Sequence, residues 1–202
     1  ANQIIRTDLT RDDLPKILSS KVVSDRPAIY LSDKKSPSPF VPEVDLNEAK
    51  LPRLTFKKIN PTKYKLWVEG ATGPFLLVFS ENFHSGWKLY SGRGDGLGGD
   101  IVGNYFNGEI KEIRPDTAFF DTNAPETWFA TPIGEKQHGY VNGYANSWLI
   151  RPENVGGKEN FELILDYWPQ RIFFIGTPVT LLTILISLIL TARSLAKKKS
   201  KL

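Results

Sequence analysis

An uncharged run of 21 residues near the C-terminus, 172–192, constrains this chain more than any other feature. A helix of that length spans roughly 30 Å, the thickness of a bilayer's hydrocarbon core. Arg171 precedes the run, and Arg193, Lys197, Lys198, Lys199 and Lys201 follow it. Cations clustered just past a span mark the cytoplasmic side. The expected arrangement is a cell-membrane protein with one C-terminal span over 169–193, a basic cytoplasmic tail over 194–202, and the rest of the chain outside. Tyr167 and Trp168 suit the aromatic belt at the outer interface, to which Arg171 snorkels. Thr177-Pro178 predicts a kink near the outer end, tolerated where a Thr hydroxyl or a neighbouring helix satisfies the freed carbonyl. Trp168-Pro169-Gln170 leaves almost no linker, so the external part is expected to sit against the lipid bilayer, its first partner.

The tail also explains the charge. Removing its five cations takes the formal charge from +4 to −1. A nearly neutral external domain lacks the basic face that phosphate binding needs, which argues against nucleic acid as a partner. The tail itself suits anionic headgroups, at about 1 kcal/mol per basic residue near the surface. The chain has no Cys, so neither a disulfide nor thiolate chemistry is open to it. The external fold must rest on its core, for which roughly 170 residues are enough. There is no Met either, even at position 1, and the first residues carry no apolar signal-peptide core. Export of the domain therefore calls for a cleaved signal peptide or a membrane region upstream of Ala1.

Residues 1–50 read as an entry segment. Thr10 is placed to cap a short helix with Asp12 and Asp13 in its first turn. Residues 28–32 read as a strand, and 34–42 as a Pro/Ser-rich linker. From 51 the texture changes to short runs rich in aromatic and branched residues, bounded by Asn-Pro, Gly and Gly-Pro. Strands are expected at 54–59, 64–70, 74–80, 88–90, 105–106, 127–130, 139–150 and 161–167. Tyr64, Leu66 and Val68 alternate with Lys65, Trp67 and Glu69 at period two. Residues 75–79 are apolar throughout, as in a strand covered on both faces, and Asn142-Gly143 is a hairpin-turn signal. The prediction is a mostly β fold: an antiparallel β-sandwich of jelly-roll type over 51–168, followed by the transmembrane helix.

Two clusters combine polar groups with aromatic planes. Residues 80–90 hold Glu81 and His84, an acid and a base, beside Trp87 and Tyr90, which suit stacking on a sugar ring. The competing reading packs Trp87 into the sandwich and uses Glu81 or His84 to satisfy a turn. Residues 138–148 hold His138, Tyr140, Tyr144 and Trp148 with the amides of Asn142 and Asn146. Aromatic planes beside amides suit carbohydrate, because C–H faces stack while hydroxyls pair. The competing reading is turn residues plus core aromatics. The Gly-rich run 91–100 does not match a phosphate loop, since no Gly-Lys-Ser/Thr closes it. Asp95 and Asp100 on it are candidate Ca2+ ligands, hard-cation donors on a flexible loop, against the plainer reading of a hairpin connection. The Arg93-Gly94-Asp95 tripeptide is short enough to arise by chance. No catalytic constellation is present, so no catalytic residue and no cofactor is expected.

Residues 61–90 resemble the C-terminal extracytoplasmic domain of the YfhO family. Its members are large multi-span bacterial membrane proteins similar to lipid-linked-sugar glycosyltransferases of the GT-C type. In that family an apolar strand leads to a Ser-Glu/Asp turn, an aromatic pair and a Pro-Gly-Trp-Lys turn. Here Ser80-Glu81 follows the apolar strand, and Ser85-Gly86-Trp87-Lys88 has Ser85 where the Pro would stand, which implies a looser turn. The resemblance covers 54–90 in sequence and 139–202 in layout. It implies the last external domain and last helix of a longer protein, with the catalytic residues in upstream membrane loops. The implied partners are that upstream membrane region and a cell-surface glycan or lipid-linked sugar. Two alternatives stay open: a stand-alone single-pass surface module binding carbohydrate or a protein, and a hydrolase using Glu81.

Overall fold

The computed structural model describes residues 3–7, 15, 27–31, 50–116 and 124–199. The helix expected from Thr10 and the linker at 34–42 lie outside the described residues, apart from a helical Pro15. The chain divides into two compact units, Ala1–Tyr167 and Trp168–Leu202.

Period-two alternation builds the first unit. In β4 (Lys63–Glu69), Tyr64, Leu66 and Val68 enter the core, and Lys63, Lys65 and Trp67 take the opposite face. β11 (Phe161–Tyr167) does the same with Phe161, Leu163 and Leu165 inward and Glu162, Ile164 and Asp166 outward. The two strands pair antiparallel with Leu163 opposite Leu66 and Asp166 opposite Lys63. Around them runs a six-stranded sheet in the order β6 (Trp87–Ser91), β11, β4, β3 (Arg53–Asn60), β8 (Ile110–Ile113), β7 (Ile101–Tyr105). A three-stranded sheet, β5 (Phe75–Asn82), β10 (Ala145–Ile150) and β9 (His138–Val141), packs against it. Phe75, Leu77, Trp148 and Ile150 from this sheet meet Leu66, Val68, Leu89, Leu163 and Leu165 from the other in one core. This is a β-sandwich whose chain passes repeatedly between the two sheets, in the jelly-roll manner. Pairing is antiparallel except between β3 and β8 and in the N-terminal pair β1 (Gln3–Thr7) and β2 (Pro27–Leu31).

β5 is covered on both faces, as its unbroken apolar run requires. Phe75 and Leu77 face the main core. Leu76 faces a second cluster with Ala28, Tyr30, Val141, Ala145 and Leu149. β2 therefore packs on the outer face of the small sheet, where the Tyr30 hydroxyl pairs with Ser147 Oγ at 2.9 Å. Asn142 and Gly143 both take positive φ, 54° and 75°, the left-handed pair that a two-residue hairpin turn demands. The Asn142 Oδ1 accepts the Ile29 N–H at 2.8 Å, and its own N–H donates to the Ile29 carbonyl at 2.9 Å. One turn residue thus fastens β2 to the hairpin.

The expected strand at 127–130 is absent. Ala124–Thr127 is a 3-10 turn followed by turn residues at 128 and 129. Pro125 fixes the local φ, and the two side chains that follow it are committed to the sheet below. Glu126 meets Lys63 and Lys65, and the Thr127 hydroxyl donates to Asp166 at 2.5 Å. Tertiary pairing overrides β propensity here.

The second unit contains α1 (Gln170–Lys199), continuous through Pro178. Its stretch Gln170–Arg193 is long and apolar enough to cross a membrane. Thr177, Thr180 and Thr183 turn their hydroxyls onto the carbonyls of Phe173, Gly176 and Val179, which hides their polar groups from an apolar surround. The side chains of Lys197, Lys198 and Lys199 lie outside the described residues.

Candidate functional site

Strand register decides which loops share an end of the sandwich. Tyr167, the last residue of β11, lies opposite Trp87, the first of β6. The turn at 83–86 joins the end of β5 to that same Trp87. Asn82 pairs with Ala145, and Ala145 with Val141, so the Asn142-Gly143 turn is at this end as well. The two clusters singled out in the sequence are therefore neighbours, gathered where β11 leaves the domain. The Phe106–Gly108 turn between β7 and β8 lies at the opposite end, since Tyr105 pairs with Ile110 and Ile110 with Leu54.

At the exit end, Thr62, Glu81, Asn82, Phe83, His84, Trp87 and Tyr167 line an open pocket of about 290 Å³. Its wall is aromatic. The Trp87 and Tyr167 rings stand 5.1 Å apart with planes at 54°, and His84 meets Tyr167 edge-on at 5.2 Å. Behind Trp87 the aromatic packing continues inward through Phe79 and Tyr64. His84 Nδ1 accepts the Gly86 N–H at 2.8 Å, which assigns the proton of the neutral ring to Nε2 and leaves that group as a donor. Among the described residues, no hydrogen bond or ion pair engages the Glu81 carboxylate. The pocket thus offers one carboxylate, one imidazole N–H and one amide beside aromatic rings.

Asn146 holds this turn in place. It is fully buried. Its Nδ2 donates to the carbonyls of Glu81 and Asn82 at 2.9 and 3.2 Å, and its Oδ1 accepts the His84 N–H at 3.1 Å. The same oxygen lies 3.0 Å from His138 Nε2. His138 is buried too, stacked on Trp148 at 4.3 Å with planes 4° apart. Burial holds its imidazole below its ordinary pKa against the Asn146 hydrogen bond, with Lys88 adding to the lowering and Glu135 opposing it. Asn146 and His138, expected to face a carbohydrate, are instead buried beneath the 81–84 turn. Trp87 is also mostly core. Tyr140 is half-buried, its ring edge-on to Phe83 at 5.5 Å and its hydroxyl donating to the Gly143 carbonyl. Tyr144 alone of the hairpin aromatics is exposed, at 40%.

Thr62, Asn82, Phe83 and Tyr167 were not legible as pocket residues. Tyr167 in particular reads from sequence as part of the aromatic belt, yet its ring packs on Trp87 and His84. A second cluster escaped the sequence entirely. On the outer face of the large sheet, Lys63 Nζ lies 2.5 Å from Glu126 Oε1, an ion contact without hydrogen-bond alignment. Lys65 Nζ meets Glu126 Oε2 at 3.1 Å and Glu162 Oε1 at 3.5 Å. Burial opposes the Lys65 charge, but the Glu126 hydrogen bond and charge, and then Glu162, outweigh it and hold the ammonium above its ordinary value. Period-two alternation puts Lys63 and Lys65 on one face of β4, but nothing local marks Glu126 and Glu162 as their partners.

The Gly-rich loop is tethered to this cluster. Gly92 donates to the Glu162 carbonyl at 2.8 Å and Gly94 to its Oε2 at 3.0 Å. A Cβ on Gly92 would lie 2.6 Å from Glu162 side-chain atoms, so only Gly fits there. Asp95 and Asp100 are both exposed, and Asp100 faces Arg114 at 3.9 Å. Among the described residues no group of three or more His, Asp and Glu gathers as a metal site. The chain matches no protein-family model, and no curated protein or solved structure is similar enough to count as a match.

Proposed function

We propose that this chain is the membrane-anchored external β-sandwich of a glycosyltransferase-like membrane protein, and that its exit-end pocket holds a saccharide unit of a cell-surface glycan or lipid-linked sugar. The observation that carries this reading is the pocket itself: the side chains of Glu81 and Asn82 and the His84 Nε2–H, engaged by no hydrogen bond among the described residues, offer hydrogen bonds to hydroxyls, beside Trp87 and Tyr167. Its volume of about 290 Å³ suits a single sugar ring. The apolar helix Gln170–Arg193 follows Tyr167 after two residues, which supports a ligand presented close to a membrane. Catalysis belongs, on this reading, to the upstream membrane region, and this domain contributes binding.

Stacking and hydrogen bonding at one small site contribute on the order of 1 kcal/mol per group. Affinity for a free sugar is therefore weak, and proximity to the membrane supplies the rest. In a glycan-binding assay on the full chain in detergent, Asn82→Ala should weaken binding about fivefold, the equivalent of roughly 1 kcal/mol, with the melting temperature unchanged. No binding to any glycan of a broad panel, or unchanged affinity in Asn82→Ala, would overturn the reading.

A further inference from the structure

The pocket has one fixed charge, and it is negative. Its lining contains Glu81 and no Lys or Arg. The neighbouring cation Lys88 is paired with Glu135, and Lys63 and Lys65 are paired with Glu126 on the outer sheet face. An anionic group entering the pocket meets the Glu81 carboxylate and, among the lining residues, no cation. A neutral sugar finds hydrogen bonds but leaves that charge unanswered. A cation gains twice, from the Glu81 carboxylate and from the half-buried Tyr167 ring that lines the same pocket. Cations are drawn to the negative faces of aromatic rings, most strongly Trp and Tyr. Chain length alone keeps Tyr167 within about 10 Å of the first residue of the span, so both a saccharide amine and a lipid amine can reach it.

We infer that the pocket recognises a primary ammonium group, supplied by an amino sugar or by an ethanolamine-type lipid headgroup. The amino-sugar source rests on the saccharide reading above; the ammonium chemistry does not. The rest of the ligand lies against His84 Nε2–H and the Asn82 amide, while its nitrogen faces Glu81.

The test uses the full chain in lipid nanodiscs at neutral pH, titrated with glucosamine, N-acetylglucosamine, glucose and ethanolamine. Glucosamine should bind about tenfold more tightly than its N-acetylated form or glucose, the sum of a cation–π contact and a partly exposed ion pair. Glu81→Gln keeps the shape and removes the charge. It should bring glucosamine down to the level of N-acetylglucosamine without changing the melting temperature, since Glu81 is exposed. Nanodiscs containing phosphatidylethanolamine identify the source: competition with glucosamine marks the lipid amine as ligand, and its absence marks the amino sugar. Equal binding of glucosamine and N-acetylglucosamine would overturn the ammonium proposal and leave the saccharide reading standing. A preference for glucosamine that survives in Glu81→Gln would overturn it too. Binding of ethanolamine but of no sugar would sink the saccharide reading alone, and binding of none of the four would sink both.

Discussion

Lys63 shows at the scale of one residue how the outer sheet face is closed. Its side chain is 3% exposed and Glu126 is 8% exposed, a degree of burial at which neither charge is stable alone. Glu126 meets Lys63 with one oxygen and Lys65 with the other, so a single carboxylate supports two ammonium groups. Removing one partner of a buried pair leaves an uncompensated charge, which costs more than the pair itself contributes. Glu126→Gln should therefore lower unfolding free energy by about 3 kcal/mol. Replacing both partners, Lys63→Met with Glu126→Leu, should restore part of that loss, because the Lys63 charge is gone and Lys65 keeps Glu162. Thermal unfolding of both variants is the measurement, and a Glu126→Gln effect within about 0.5 kcal/mol, typical of surface changes, would show that water already reaches these groups. Lys65 sets the pH range in which to look. Its folded pKa is raised, so its contribution is complete below the ordinary lysine value and is lost only as pH rises through the folded one.

At the scale of elements, the hairpin β9–β10 ties the N-terminal strand to the sandwich through Asn142. Asn142 sits at positive φ and pairs through both its side chain and its N–H with Ile29. Asn142→Gly keeps the backbone conformation and removes only the side-chain bond, so it should cost about 1 kcal/mol. Asn142→Ala adds left-handed strain of roughly 1–2 kcal/mol. Amide exchange at Ile29 should quicken in both variants; unchanged protection there would mean that β2 is held by its side chains alone. The turn was legible because Asn-Gly is nearly a direct statement of two left-handed residues. Strands β3, β4, β5 and β11 were legible for a similar reason, since alternation or an unbroken apolar run states which faces are covered. What no local pattern states is a long-range partner. The 3-10 turn at Ala124–Thr127 depends on Lys63, Lys65 and Asp166, about 40 to 60 residues away in the chain. Asn146 looked like an exposed amide until β5 was laid beside β10, which buries it under the turn it holds. Three of the seven pocket residues, Glu81, His84 and Trp87, lay in one segment and could be read; Tyr167 and Thr62 joined it only through strand pairing.

On the scale of the whole molecule, function depends on which side of a membrane the sandwich occupies. The apolar stretch Gln170–Arg193 has the length and composition of a span, and the cations beyond it bias its orientation. Long domains cross membranes largely regardless of their own charge, whereas basic residues close to the end of a span hold that end inside. Arg193, Lys197, Lys198, Lys199 and Lys201 all fall within nine residues and outweigh Arg171 at the other end, so the bias favours the tail side. The absence of any Cys makes this easy to test, because each introduced thiol reports alone. Asp95→Cys places a thiol on the exposed Gly-rich loop, outside the lining of the pocket. Lys201→Cys places one in the tail. In intact cells a membrane-impermeant maleimide should label the first and spare the second, which should react only after permeabilisation. Swapping the five tail cations for Gln should weaken the asymmetry and yield a mixed population. Labelling of Lys201→Cys in intact cells with Asp95→Cys protected would put the pocket in the cytoplasm, where a cell-surface glycan cannot reach it, and would remove the ground for the proposed function whatever the pocket binds in solution.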